Sequence, residues 1–203
     1  MPYIIEKQFE VATSHRVYNQ DLDFSMCSVG IKERKCRRIH GHTGVYIIRL
    51  ASDALIKSMT LDFNEIGFIK NALDKYIDHH HMIYHQDPQF EFLVEDLYRK
   101  VVGDPNAQVQ YNVVESLSAG EFEVKQINTS NIDNDNPYKA LLEAYTVINF
   151  NSTSEVIAQW IYTVAQKRID QFIEQHPEYI QSKLRVESVS YKESPKSMAT
   201  YIP

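Results

Sequence analysis

The residues with the clearest chemistry cluster in Cys36-Arg37-Arg38-Ile39-His40-Gly41-His42. Side chains alternate between the faces of an extended chain, so His40 and His42 share one face. Both imidazoles can therefore reach a single metal ion, and Gly41 between them leaves room for close backbone approach. A catalytic zinc takes three protein ligands and keeps one position open. His15 is the candidate for the third. Phe9, Val11, Thr13 and His15 lie on one face of a period-two segment, and a hairpin of residues 3–15 with 42–50 would bring His15 beside His40 and His42. An isolated His-x-His is more often structural. The third histidine and the cysteine four residues upstream turn the reading toward metal.

Cys36 sits among Lys32, Arg34, Lys35, Arg37 and Arg38, five of the chain's 21 basic residues. Such charges favour the thiolate of Cys36 and offer a dock for an anion such as a phosphate chain. Cys27, outside the cluster, has no comparable case. Asp78 directly precedes His79 and could orient its imidazole as an acid–base group. The run His79-His80-His81 is a weaker metal signal, because neighbours on a regular backbone point in different directions.

These groups need rigid elements. Residues 3–15 and 42–50 read as strands, joined by a long irregular link over 16–38, a length that usually serves function. Asp62 and Glu65 resemble a capping box ahead of a helix whose apolar face is Ile66, Ile69, Leu73, Tyr76 and Ile77 and which runs to the histidines. Asp87-Pro88 predicts a second helix start, with Gly103 as its stop. Alternating residues around Ser118-Ala119-Gly120 predict a hairpin, and 128–137 reads as polar turn material. Tyr145–Phe150 reads as a strand, and Ser152 with Glu155 as the cap of a long amphipathic helix with Trp160 in its core face. Residues 184–191 form a last strand that delivers Lys192, Glu193 and Ser194.

Length and composition set bounds. The chain has 203 residues, 43% hydrophobic and 24% charged, which fits a single domain with a full core. A net charge of −6 argues against nucleic acid as a partner. No apolar run reaches the length of a membrane span, and the N-terminus carries no secretion signal. Two cysteines, Cys27 and Cys36, read as reduced thiols in a cytoplasmic protein.

Taken together, FEVATSHR at 9–16, CRRIHGH at 36–42, LDFNEI at 61–66, IDHH at 77–80, STSEVIAQWI at 152–161 and YKES at 191–194 resemble the 6-pyruvoyl-tetrahydropterin synthase family, and within it the 6-carboxytetrahydropterin synthases. The resemblance implies an α+β tunnelling fold: a four-stranded antiparallel sheet with two helices on one face. Family members assemble through their sheets, usually as hexamers. It further implies zinc on His15, His40 and His42, Cys36 as general base, Asp78 and His79 as acid–base relay, and Glu193 as anchor for the pterin. Thr153 and Ser154 would line the pterin pocket, with Lys35, Arg37 and Arg38 facing the triphosphate. The three residues between Cys36 and His40 match the carboxy-forming members, which act on 7,8-dihydroneopterin triphosphate in queuosine synthesis. The chain departs from the family in residues 84–149, an insertion expected to fold as a helix plus hairpin at the rim of the site without supplying catalytic groups. It departs again at Ser152, where a proline is usual.

Overall fold

The structure, a computed structural model, describes residues 1–20, 35–117 and 121–203. Cys27, the basic residues Lys32 and Arg34, and the turn Ser118-Ala119-Gly120 lie outside the described residues. In chain order the elements are β1 (Tyr3–His15), β2 (His40–Ser52), α1 (Gly67–Ile77), β3 (His80–Tyr84) and α2 (Asp96–Val102). There follow β4 (Tyr111–Leu117), β5 (Phe122–Ile127), α3 (Lys139–Glu143), β6 (Tyr145–Ile148), α4 (Ser154–Gln175), β7 (Arg185–Ser194) and β8 (Ser197–Tyr201). The chain divides into two compact units, one of Met1–Thr13, His42–Asp78 and Thr153–Pro203, the other of Ser14–Gly41 and His79–Ser152.

In the first unit, β2 pairs antiparallel with β7 and β7 with β8. Tyr46, Ile48 and Leu50 alternate inward along β2 and are fully buried, as the period of a half-buried strand requires. The long helix α4 packs on β7 and β8, and α1 packs on α4. Ile157, Trp160, Ile161, Val164 and Ile169 recur at helical spacing and are buried. Trp160 is core, as its place in that stripe predicts. The Phe68 and Phe172 rings stack 5.4 Å apart between the two helices.

The second unit is built mostly from the expected insertion. β3 pairs parallel with β6, β5 antiparallel with β6, and β4 antiparallel with β5. Ile83, Phe90, Val94, Tyr98, Ile127, Ile132, Leu142 and Val147 form its core. A π-helical turn, Glu91–Glu95, leads into α2, which Gly103 ends with φ of 78°, the left-handed cap that glycine adopts at least cost.

The expected four-stranded antiparallel sheet is corrected to an eight-stranded mixed one in the order β4-β5-β6-β3-β1-β2-β7-β8. Within the second unit the strands of 84–149 pair with one another and with β3, and β3 with β6 is a parallel pair. Local boundaries move as well. The first helix stops at Ile77 instead of continuing through the histidines, because His80 and His81 belong to β3. Asp62 accepts from the Asn64 amide in a turn before α1, so it does not cap the helix. No helix among the described residues is long and apolar enough to cross a membrane.

Candidate metal centre

His15 ends β1 and is buried, 1% exposed. Its Nδ1–H donates to the Ser152 carbonyl at 2.7 Å. His40 opens β2, and its Nδ1–H donates to the Arg38 carbonyl at 2.8 Å. A carbonyl only accepts, so each bond fixes the Nδ1–H tautomer and leaves the Nε2 lone pair as the donor a metal would use. The two rings lie 4.7 Å apart, centre to centre.

In the other compact unit, His42 Nε2 lies 3.2 Å from Glu193 Oε1. The second carboxylate oxygen, Oε2, accepts from the Ser154 hydroxyl at 3.0 Å. Only Gly41 separates His42 from His40 along β2. Among the described residues, His15 and His40 in one unit and His42 and Glu193 in the other are the candidate metal donors. Three imidazoles with one carboxylate suit zinc, which binds both ligand types and needs no particular d-electron geometry. The three histidines are those singled out by spacing. Glu193 as a potential donor was missed, since its position on β7 gave only strand alternation and its contact with His42 joins residues 151 apart.

Cys36 sits in a 3-10 turn, Lys35–Arg37, half-buried and with a free thiol. Its backbone is held at both ends: its N–H donates to Gln20 Oε1 at 3.1 Å, and its carbonyl accepts from the Val17 amide at 2.7 Å. Lys35, Arg37 and Arg38 are exposed, so their charges face solvent beside the cysteine. Asp78 follows α1 and its Oδ1 accepts from the Ala12 amide at 3.0 Å. His79 then turns the chain with φ of +60°. Thr153, expected to line a pocket, is the N-cap of α4, its hydroxyl accepting from the Val156 amide at 3.4 Å. That role was assigned to Ser152, which is instead fully buried and supplies the carbonyl that holds His15.

Two further groups have contacts that the sequence pattern does not reveal. His81 meets the Ser14 hydroxyl through Nδ1 at 2.8 Å. Burial pushes its imidazole down to about 4, and the charges of His15, Arg16 and His40 push the same way. Arg16 and Asp87 form a buried ion pair, Nε to Oδ2 at 2.9 Å, and Arg16 Nη1 also donates to Gln89 Oε1. The Asp87-Pro88 dipeptide predicts a helix cap. Asp87 Oδ1 does accept from the Gln89 amide at 2.8 Å, but in a turn ahead of the π-helical segment.

With this geometry in hand, comparison with known proteins gives a consistent picture. The profile of the family described as 6-pyruvoyl tetrahydropterin synthase matches residues 4–203. A protein of Aquifex aeolicus (strain VF5) named 6-carboxy-5,6,7,8-tetrahydropterin synthase is 32% identical over 94 residues, which are 44% of this chain and 58% of that protein. The match thus spans somewhat over half the length of that relative. Among solved structures, an uncharacterized protein from Wolinella succinogenes superposes with a TM-score of 0.76 at 27% identity, covering 100% of this chain and 98% of the other. The 6-pyruvoyl tetrahydropterin synthase of Plasmodium falciparum aligns with a TM-score of 0.50 at 12% identity, over 98% of this chain and 96% of its own, and speaks only to the fold.

Proposed function

Because the chain belongs to the 6-pyruvoyl tetrahydropterin synthase family, whose members are lyases acting on pterins, we propose that it is a zinc-dependent 6-carboxy-5,6,7,8-tetrahydropterin synthase. It would convert 7,8-dihydroneopterin triphosphate and water to 6-carboxytetrahydropterin, acetaldehyde and triphosphate, a step toward queuosine and other 7-deazapurines. The observation that carries the reading is the pair of tautomer-fixed histidines, His15 and His40, each presenting Nε2, with His42 two residues farther along β2. In this reading the three serve one ion.

When bound, the metal would acidify the side-chain hydroxyls it chelates and stabilise the charge that develops on them. The chain's own residues do the rest. Cys36, held at its backbone by Gln20 and Val17, takes a carbon-bound proton as thiolate. His79, following Asp78, returns a proton on the other side of the side chain. Glu193 grips the guanidine-like edge of the pterin, with Ser154 orienting its carboxylate, while Thr153 holds the start of α4 beside it. Lys35, Arg37 and Arg38 are exposed and supply the charge for the triphosphate. Homo-oligomers, hexamers by family resemblance, and a cytoplasmic location complete the proposal.

The closest rival is formation of 6-pyruvoyltetrahydropterin, favoured by the name of the matching family. A zinc-stabilised pterin-binding protein without activity is the more remote one. Product analysis on dihydroneopterin triphosphate separates them. Acetaldehyde among the products is expected, its absence alongside a pyruvoyl product selects the first rival, and no turnover selects the second. Elemental analysis should find one zinc per chain, lost in His42→Ala. Cys36→Ala should keep the zinc and lose about 100-fold or more in turnover, the usual contribution of a positioned acid–base group. Zinc retained by His42→Ala, or full activity in Cys36→Ala, overturns the assignments.

A further inference from the structure

We propose that Asp87 and Gln89, both inside the inserted segment, are positioning residues for the metal ligand His15, acting through Arg16 and Ser152. The inference rests on the metal reading above.

The connection can be followed contact by contact within one compact unit. Asp87 Oδ1 accepts from the Gln89 amide, which locks the two residues into one turn. That turn meets a single guanidinium at two points: Asp87 Oδ2, paired by charge with Arg16 Nε at 2.9 Å, and Gln89 Oε1, which accepts from Arg16 Nη1. Arg16 directly follows His15 in the chain. The Arg16 carbonyl accepts from the Ser152 hydroxyl at 3.3 Å, and the Ser152 carbonyl accepts the Nδ1–H of His15 at 2.7 Å. The His15 ring is thereby closed into a loop of contacts in which Ser152 bonds both the ligand and the residue after it.

Two physical consequences follow. A buried ion pair is weak evidence for stability, because desolvation offsets most of its attraction. Arg16 and Asp87 are both buried, so a role in direction and charge explains their presence better than a role in holding the fold. Charge supplies the second consequence. A guanidinium one residue from a metal ligand repels an incoming divalent cation, strongly so where water is excluded. Asp87 neutralises it. The inserted segment therefore acts on the metal site twice, by aiming the His15 imidazole and by cancelling the nearest fixed positive charge in the sequence. Outer-shell partners of metal-bound histidines commonly control affinity in this way.

The test uses cobalt(II) alone as the probe on the full chain, with affinity measured by chelator competition and geometry by the visible d–d absorption. Asp87→Asn keeps the shape and the acceptor for the Gln89 amide while removing the charge. Its cobalt affinity should fall about 10- to 100-fold, the range typical of outer-shell changes, with a shifted absorption band. Gln89→Leu, which spares the ion pair, should lower affinity in the same direction by less, and decides the question should Asp87→Asn fail to fold. A merely structural role would lower the melting temperature of the metal-free variants and leave the band and affinity of the folded fraction as in wild type. That result overturns the inference alone. A wild-type protein that takes up no cobalt overturns the metal reading and this inference with it.

Discussion

At the scale of single residues, the candidate site combines groups that spacing reveals with groups that only tertiary contact reveals. His40 and His42 announce themselves two apart on a strand, and His15 by period two along β1. Ser152 and His81 do not, because a backbone carbonyl or a buried hydroxyl contact leaves no mark in the local pattern. His81 carries a consequence for pH. Its folded pKa, about 4, lies below its ordinary value, so the unfolded chain binds the proton first as pH falls. Its contribution to stability is complete above about 6.5 and is lost progressively toward 4, by up to about 3 kcal/mol on the linkage relation. Acid titration of the metal-free protein should show that slope in its unfolding free energy. His81→Asn should flatten it, and an unchanged slope would assign the effect to other groups.

At the scale of elements, β2 and β7 hold a tight contact. A Cβ built on Gly44 would meet the Tyr191 hydroxyl at 3.0 Å and its ring at 3.3 Å. Tyr191 is buried, its hydroxyl has no hydrogen-bond partner among the described residues, and burial with the nearby Glu193 raises its phenol pKa. Gly44→Ala should destabilise by about 1–3 kcal/mol, as overpacking does. Tyr191→Phe should be neutral or mildly stabilising, since it removes an unsatisfied buried hydroxyl. In the phenylalanine background the alanine should cost less, and a double-mutant cycle of chemical denaturation measures that coupling. Additive effects would refute the contact. The elements themselves were legible where pattern is strong: β1, β7 and the buried stripe of α4 fall where periodicity puts them. Boundaries slipped where two residues compete for one task, as when Thr153 and not Ser152 caps α4. The short α3 and β8 were missed, too brief for a periodic signal.

At the scale of the whole molecule, residues 84–149 were legible as a helix with a hairpin, but the attachment of that segment was not. The parallel pairing of His81–Tyr84 with Tyr145–Ile148 joins segments far apart in sequence, and the histidine run disguised β3 as the end of a helix. The polar run 128–137 hides Ile132, which is 6% exposed and part of the core. Deleting 84–149 would therefore strip Ile83 of its neighbours Phe90, Val94 and Val147 and leave Arg16 without Asp87. Removing one partner of a buried ion pair alone costs about 3–5 kcal/mol. The shortened chain should aggregate or expose apolar surface, seen as dye binding and high mass by light scattering. A monodisperse product with full metal uptake would show the insertion to be dispensable. The left-handed backbone at His79 has a different kind of consequence. Glycine occupies that conformation freely, whereas any side chain there is held at a penalty of about 1–2 kcal/mol. If His79 is the proton relay proposed above, breeding for heat resistance alone would drift toward glycine at this position and return a sturdier, slower catalyst. Breeding for turnover would keep the imidazole and carry the strain forward.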